Sequence, residues 1–193
     1  LSGAIHTKGF YILGGLLRNL LRTRHPLAFS ASVAFEQSYG GIDGDSASGA
    51  EMICLLSSLT GVALRQDLAM TGAIDQMGHI QPVGATTEKI EGFFAVCEAR
   101  GLSGTQGVVI PAANARELML NPKVVDACAA GKFRVYAVDT IQDALELFTG
   151  WRAGTADEQG QYPSDTLLHL AQRRAQEFWR MATERKQTNQ QQE

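Results

Sequence analysis

Strand-like and helix-like patterns of apolar residues alternate along this chain, and glycines punctuate them. Three segments with helical spacing are each followed directly or within two residues by a glycine: residues 46–60, 88–100 and 141–148. The strand-like segments between and before them are residues 27–36, two strands within 66–83, residues 108–110 and residues 133–138. Because helices and strands alternate, the sequence predicts the α/β (α+β) fold class.

The length of 193 residues is typical of one domain with a short appendage. Residues 151–163 are rich in glycine and polar side chains, and a further helical stripe follows them. We therefore expect a domain over residues 1–150, a linker and C-terminal helix over 151–182, and a tail over 183–193. The tail, residues 183–193, has no apolar side chain, and its composition predicts disorder.

Composition and missing motifs exclude several function classes. The net charge of −3 argues against a nucleic-acid partner, and the apolar runs are too short to form a membrane-spanning helix, so we expect no membrane contact. There is no phosphate-binding loop, no zinc-binding His or Cys pattern and no G-x-S-x-G elbow. We therefore expect no cofactor and no metal in this chain. Three scattered cysteines predict a reducing, cytoplasmic location.

Ser46 lies between a glycine-rich loop and the start of a predicted helix. A hydroxyl at this place is open to a substrate carbonyl, and amides at a helix N-terminus can stabilise an oxyanion. An N-cap serine needs only the same position, so the local pattern leaves both interpretations open.

Lys89 lies in the first turn of a later predicted helix. A cation there faces the positive end of the helix dipole, and partial burial would add to the effect, so both favour the neutral amine that a base requires. Such a lysine can serve a serine in nucleophilic catalysis. A solvated lysine beside Glu88 and Glu91 is the ordinary alternative, and spacing alone does not pair Ser46 with Lys89.

Three stretches resemble the proteolytic domain of the Lon protease family, above all its B-type and C-type branches. They are DGDSAS at 43–48, QDLAMTGAIDQMGHIQPVGATTEKIEGF at 66–93, and SGAIHTKGFYILGGLL at 2–17. The resemblance implies a single Lon-type domain with a mixed sheet and surrounding helices. One departure is Ala85-Thr86-Thr87, where many members have glycine followed by a different pair.

The resemblance implies that Ser46 is the nucleophile and Lys89 the general base of a Ser-Lys dyad. It also implies that Thr71 helps to hold the lysine, although Thr71 is otherwise an ordinary strand threonine. Asp45 and Asp43 match acidic positions that pair with the lysine in resting forms, or they are solvated loop carboxylates. None of the positions that match the family implies a cofactor-binding or metal-binding residue in this chain.

The implied activity is that of a serine endopeptidase acting on unfolded or flexible polypeptides within a homohexameric ring. ATP and magnesium belong to an ATPase module that this chain does not contain. Residues 27–36 are expected to form one wall of the substrate groove. The alternatives are a non-catalytic, ring-forming interaction domain and a nucleotide-dependent domain of related fold, such as a small-molecule kinase.

Overall fold

A parallel sheet of three short strands lies at the centre of the molecule. The computed structural model describes residues 3–35 and 39–190, and side chains to residue 185. Strands β1 (Leu68–Met70), β4 (Gly107–Pro111) and β5 (Arg134–Val138) pair in the order β1-β4-β5. Strands β2 (Ala73–Ile74) and β3 (Ile80–Gln81) form a separate antiparallel hairpin. The α/β (α+β) class is confirmed, with one parallel sheet and a hairpin in place of a single mixed sheet.

Helices cover both faces of this sheet. Their bounds are α1 (Ala4–Leu21), α2 (Ser48–Thr60), α3 (Thr86–Arg100), α4 (Pro122–Ala129), α5 (Ile141–Thr149) and α6 (Leu167–Gln190), with a 3-10 helix at Ala112–Glu117. Gly61 and Gly150 end α2 and α5 in the left-handed conformation, as the sequence predicts. The predicted helices of the central region are therefore confirmed, with shifts of a few residues at their starts.

Two apolar layers lie on opposite faces of the sheet, and β4 contributes to both. The first layer contains Val109 and buried side chains of α1, α2, α5 and α6. The second layer contains Val108 and Ile110 with buried side chains of α3 and α4. Every residue of β4 is buried, as expected for a central parallel strand covered on both faces.

Residues 27–35 do not form a strand, so this prediction is wrong; Glu36 lies outside the described residues. Phe29 packs against Phe178 of α6, with ring centroids 5.6 Å apart. Leu27 and Phe29 are partly buried against the first apolar layer, whereas Ala31 and Phe35 of the same predicted face are exposed. Within residues 3–35 and 39–190 no strand pairs with the segment. Alternation supplies no hydrogen-bonding neighbour.

The region after residue 150 shares the first apolar layer. Leu167, Leu168 and Ala171 of α6 are fully buried, and the Tyr162 hydroxyl donates to the Leu20 carbonyl at 2.8 Å. Helix α6 continues to Gln190, whereas composition predicts disorder from residue 183; residues 191–193 lie outside the described residues. Once a packed helix exists, each added residue of good helix propensity forms one more hydrogen bond without a new nucleation step.

None of the helices within the described residues is long and apolar enough to cross a membrane.

Candidate active site

The loop that carries Ser46 is fixed to its surroundings by Ser48. The Ser48 hydroxyl is buried; it donates to the Asp45 carbonyl at 2.7 Å and accepts from the Ile74 amide at 3.1 Å. Ser46 itself is half-buried, two residues before α2 begins. Ser48 therefore holds the loop in place, and Ser46 lies where its hydroxyl can be reached.

Helix α2 approaches the segment after β1 very closely. A Cβ on Gly49 would lie 2.6 Å from the Met70 methyl and 3.0 Å from the Gly72 carbonyl, so only glycine fits without a shift. The Gly49 amide donates to the Gly72 carbonyl at 3.0 Å, and the Gly72 amide donates to the Ser46 carbonyl at 2.8 Å. This contact brings Thr71 beside Ser46.

Lys89 reaches both hydroxyls from the other face of the sheet. Its Nζ lies 3.2 Å from Ser46 Oγ and 3.2 Å from Thr71 Oγ1. Thr71 is buried, and its amide donates to the Val109 carbonyl at 3.0 Å. Three residues that sequence spacing alone leaves unconnected are thus brought together at hydrogen-bonding distance.

The place of this cluster follows from the topology. Thr71 directly follows β1, Ser46 precedes a helix on one face of the sheet, and Lys89 lies in the first turn of a helix on the other. Functional residues of parallel α/β sheets commonly gather at the carboxyl ends of strands. Lys89 is an exposed residue.

Asp43 has a different partner from the one that the resemblance implies. Its Oδ1 accepts hydrogen bonds from the amides of Ile5 at 3.1 Å, His6 at 3.3 Å and Gly44 at 2.9 Å. The carboxylate thereby caps the N-terminus of α1. The hydrogen bond from the Gly44 amide is the main cause that holds the pKa of Asp43 below its ordinary value.

Asp45 lies against α1, since a Cβ on Gly9 would be 3.7 Å from the Asp45 Cβ. Within the described residues, no hydrogen bond or ion pair joins the carboxylate of Asp43 or Asp45 to Lys89. The geometry therefore groups Thr71 with the pair and leaves both carboxylates outside it.

His6 and Glu51 are buried beneath the Ser46 loop, where sequence reasoning assigned no role. His6 Nδ1 lies 3.3 Å from the Gly44 carbonyl, and His6 Nε2 lies 4.0 Å from Glu51 Oε1. Burial raises the pKa of Glu51 above its ordinary value. His6 and Gly44 are 38 residues apart, and no local pattern in the sequence connects them.

Two further observations concern ligands. Within the part of the chain that the structure describes, no three His, Cys, Asp or Glu side chains are grouped to hold a metal ion. A cavity of about 560 Å³ lies between residues 29–34, the later turns of α2 and Phe178. Ser46 and Lys89 do not line it, so the expected role of residues 27–36 in a groove at Ser46 gains no support from this cavity.

Comparison with known proteins adds an independent line of argument. The sequence profile of the Lon protease (S16) C-terminal proteolytic domain matches residues 38–149. The chain is similar to a Lon protease homolog of Escherichia coli (strain K12), 47% identical over 90% of this chain and 29% of that protein. It is 46% identical to a homolog of Haemophilus influenzae over the same shares of each.

An archaeal Lon protease of Thermococcus kodakarensis is 38% identical over 62% of this chain and 17% of its own length. The chain spans less than a third of the length of these curated relatives.

Proposed function

Because this chain belongs to the Lon protease (S16) C-terminal proteolytic domain family, we propose that it is a serine endopeptidase with a Ser46–Lys89 dyad. The observation that carries the proposal is the 3.2 Å separation between Lys89 Nζ and Ser46 Oγ. A nucleophile and its base must lie within hydrogen-bond reach of each other, and these two do.

In the proposed reaction the neutral Lys89 amine accepts the Ser46 proton as Oγ bonds to the substrate carbonyl carbon. The resulting ammonium returns that proton to the departing amine, the peptide C–N bond breaks, and an ester forms on Ser46. Lys89 then takes a proton from water, the water oxygen attacks the ester, and Ser46 regains its proton.

Thr71 supports this chemistry as a positioning residue. A neutral lysine amine has one lone pair and two hydrogens. When one N–H donates to Thr71 Oγ1, at the observed 3.2 Å, the amine is oriented and its lone pair is free for Ser46.

The N-terminus of α2 supplies the electrostatics for the tetrahedral intermediate. Ser46 lies two residues before this helix, whose first amides carry partial positive charge. Such donors stabilise negative charge that develops on the carbonyl oxygen.

Cleavage of fluorescein-labelled casein by this chain without ATP tests the proposal. We expect wild type to cleave and Ser46→Ala and Lys89→Ala each to lose at least about 1,000-fold in rate. Lys123→Ala is the matched control, because Lys123 is an exposed lysine on α4. It should cleave at the wild-type rate.

Cleavage that persists in Ser46→Ala would contradict the dyad, and cleavage that persists in Lys89→Ala alone would require another base. A wild-type chain that assembles into rings but never cleaves favours the alternative, a non-catalytic interaction domain.

The substrates, the assembly and the location of this chain are proposals as well. We propose that the chain acts on unfolded or flexible polypeptides, in a homohexameric ring in the cytoplasm, with any ATP and magnesium bound by a separate ATPase module. Native mass spectrometry of the chain tests the hexamer, since a monomer at every concentration would contradict it.

A further inference from the structure

The first turn of α1 contacts the residues just before Ser46 at several points. The Gly3 amide donates to the Ile42 carbonyl at 2.7 Å, and the carboxylate of Asp43 caps the helix. There is no room for a Cβ at Gly3 beside the Asp43 side chain. The start of α1 therefore lies directly against residues 42–44.

The side chain of His6, in the same turn, contacts the loop at Gly44, one residue nearer to Ser46 than Asp43. It is 6% exposed, and Nδ1 faces the Gly44 carbonyl, two residues before the nucleophile. A carbonyl oxygen only accepts hydrogen bonds, so Nδ1 must carry a proton for this contact to form. The ring also packs edge-on against Phe10, with centroids 5.5 Å apart.

Glu51 lies on the other side of the imidazole and is only 4% exposed. Its Oε1 has no hydrogen-bond partner within the described residues, and His6 Nε2, at 4.0 Å, is the polar atom facing it. A buried carboxyl is stable there when it shares a proton with the imidazole or pairs with its charged form. Either arrangement leaves the Nδ1 proton directed at Gly44.

We propose that His6, oriented by Glu51, is a positioning residue that sets the place of Ser46 through the Gly44 carbonyl. The inference rests on the proposed function, because it assigns His6 to that same reaction. Its chemical reason is that the rate falls steeply when a nucleophile is displaced by even 1 Å from its base. His6 joins the start of α1 to the loop before Ser46, while Glu51 joins the same ring to α2.

Variants whose amide group takes the place of one His6 ring nitrogen at a time test the proposal. His6→Asn retains a donor near the position of Nδ1, His6→Gln places its amide near Nε2, and His6→Leu has neither. With fluorescein-labelled casein, we expect His6→Leu to lose at least tenfold in kcat with KM unchanged. His6→Asn should stay within about threefold of wild type.

His169→Asn is the matched control, because His169 Nδ1 also contacts a backbone carbonyl, that of Tyr162 at 3.1 Å, in the C-terminal region. We expect it to keep the wild-type kcat. Wild-type turnover by His6→Leu, or equal losses in His6→Asn and His6→Leu, would overturn the proposal. If His6→Leu does not fold, the kcat of His6→Asn must be about tenfold higher than the kcat of His6→Gln. Equal kcat values for these two variants overturn the proposal.

Amide hydrogen exchange separates this inference from the proposed function. In His6→Leu, or in His6→Gln if the former does not fold, the amides of residues 44–46 should exchange at least tenfold faster than in wild type, with no change in His169→Asn. If wild type cleaves nothing, the proposed protease function fails and this exchange result alone decides whether His6 positions the loop. Unchanged exchange overturns the inference.

Discussion

A lysine amine acts as a base only when its lone pair points at the hydroxyl that it deprotonates. In this site Thr71 supplies the second contact that fixes the amine, and Thr71 is itself held by the Val109 carbonyl. Thr71 is buried and Lys89 is exposed. In the proposed reaction this single hydroxyl orients the Lys89 amine.

Thr71→Val removes this hydroxyl at nearly constant volume. Lys89 is neutral in the proposed reaction, and a neutral hydrogen bond contributes about 0.5–1.5 kcal/mol, so we expect kcat for casein cleavage to fall roughly 2- to 10-fold. Thr71→Ser keeps the acceptor and should retain most activity. Thr60→Val, which removes a threonine hydroxyl bonded to the Leu56 carbonyl, is the control and should cleave normally. Equal activity of Thr71→Val and wild type would contradict the positioning role.

Helices α1 and α3 each begin with an unusual local arrangement next to the site. Helix α1 is capped by Asp43, which comes from 37 or more residues further along the chain. Helix α3 is preceded by Ala85, a non-glycine residue with φ of 57° and ψ of 35° in the left-handed region. Both starts therefore depend on more than local helix propensity, and each can be tested by substitution.

The cap on α1 predicts a pH-dependent stability. Because the folded-state pKa of Asp43 lies below the unfolded value of about 3.9, its contribution is fully present above that value and is lost as pH falls through the folded pKa. Asp43→Asn does not titrate. We expect the difference in Tm between wild type and Asp43→Asn to be constant above about pH 5 and to fall towards lower pH. A difference that is constant down to pH 2 would contradict the cap.

Ala85→Gly should stabilise the chain. The left-handed conformation destabilises a residue with a Cβ by roughly 1–2 kcal/mol, a cost that glycine does not have. Glycine also has more conformational freedom in the unfolded chain, which offsets about 0.4–1 kcal/mol of that gain. We expect a net gain of roughly 0.5 kcal/mol or more, or a rise in Tm of about 1–2 °C. Ala95→Gly, at an exposed position inside α3, should instead lower the stability. Thermal unfolding of both variants measures whether each substitution raises or lowers the Tm.

The whole molecule has a first apolar layer that residues 151–182 help to complete. Ala153 and Tyr162 are buried in it, and the Gln172 amide donates to the carbonyls of Leu21 and Gly160 at 3.1 Å each. The composition of residues 151–163 suggests a linker, but the contacts of Ala153 and Tyr162 are those of a structural element. Stability of the domain therefore extends beyond residue 150.

Two truncations test this arrangement. A chain ending at residue 150 lacks the fully buried Leu167 and Leu168. Each contributes about 1.5–3 kcal/mol of burial against a total stability of roughly 5–15 kcal/mol, and other contacts are lost with them. We expect no cooperative thermal transition for that chain. A chain ending at residue 182 should keep its Tm within about 2 °C, and a cooperative transition of the shorter chain would contradict the shared layer.

Local signals predict much of this fold, and distant contacts explain what they miss. Gly61 and Gly150 mark helix ends because the left-handed conformation is a property of one residue, and the all-apolar run at residues 108–110 predicts a buried strand. The false strand at residues 27–36 shows that alternation does not identify a pairing partner.

The same distinction between local signals and distant contacts applies to the candidate site. Ser46 and Lys89 are 43 residues apart, and only the family resemblance joins them before the structure does. Nothing local distinguishes His6 from the other histidines, because its contacts with Gly44 and Glu51 arise from tertiary packing. The cap formed by Asp43 is equally non-local.

The Ser46 hydroxyl lies just before α2, which packs in the first apolar layer, whereas the Lys89 amine belongs to α3, which packs in the second. A hydrogen bond weakens within a few tenths of an ångström, whereas packed helices slide by 1–2 Å without unfolding. In the proposed site, the distance between Lys89 Nζ and Ser46 Oγ therefore depends on how the two apolar layers pack against the sheet. A shift of α3 relative to α2 would break this hydrogen bond while leaving the fold intact.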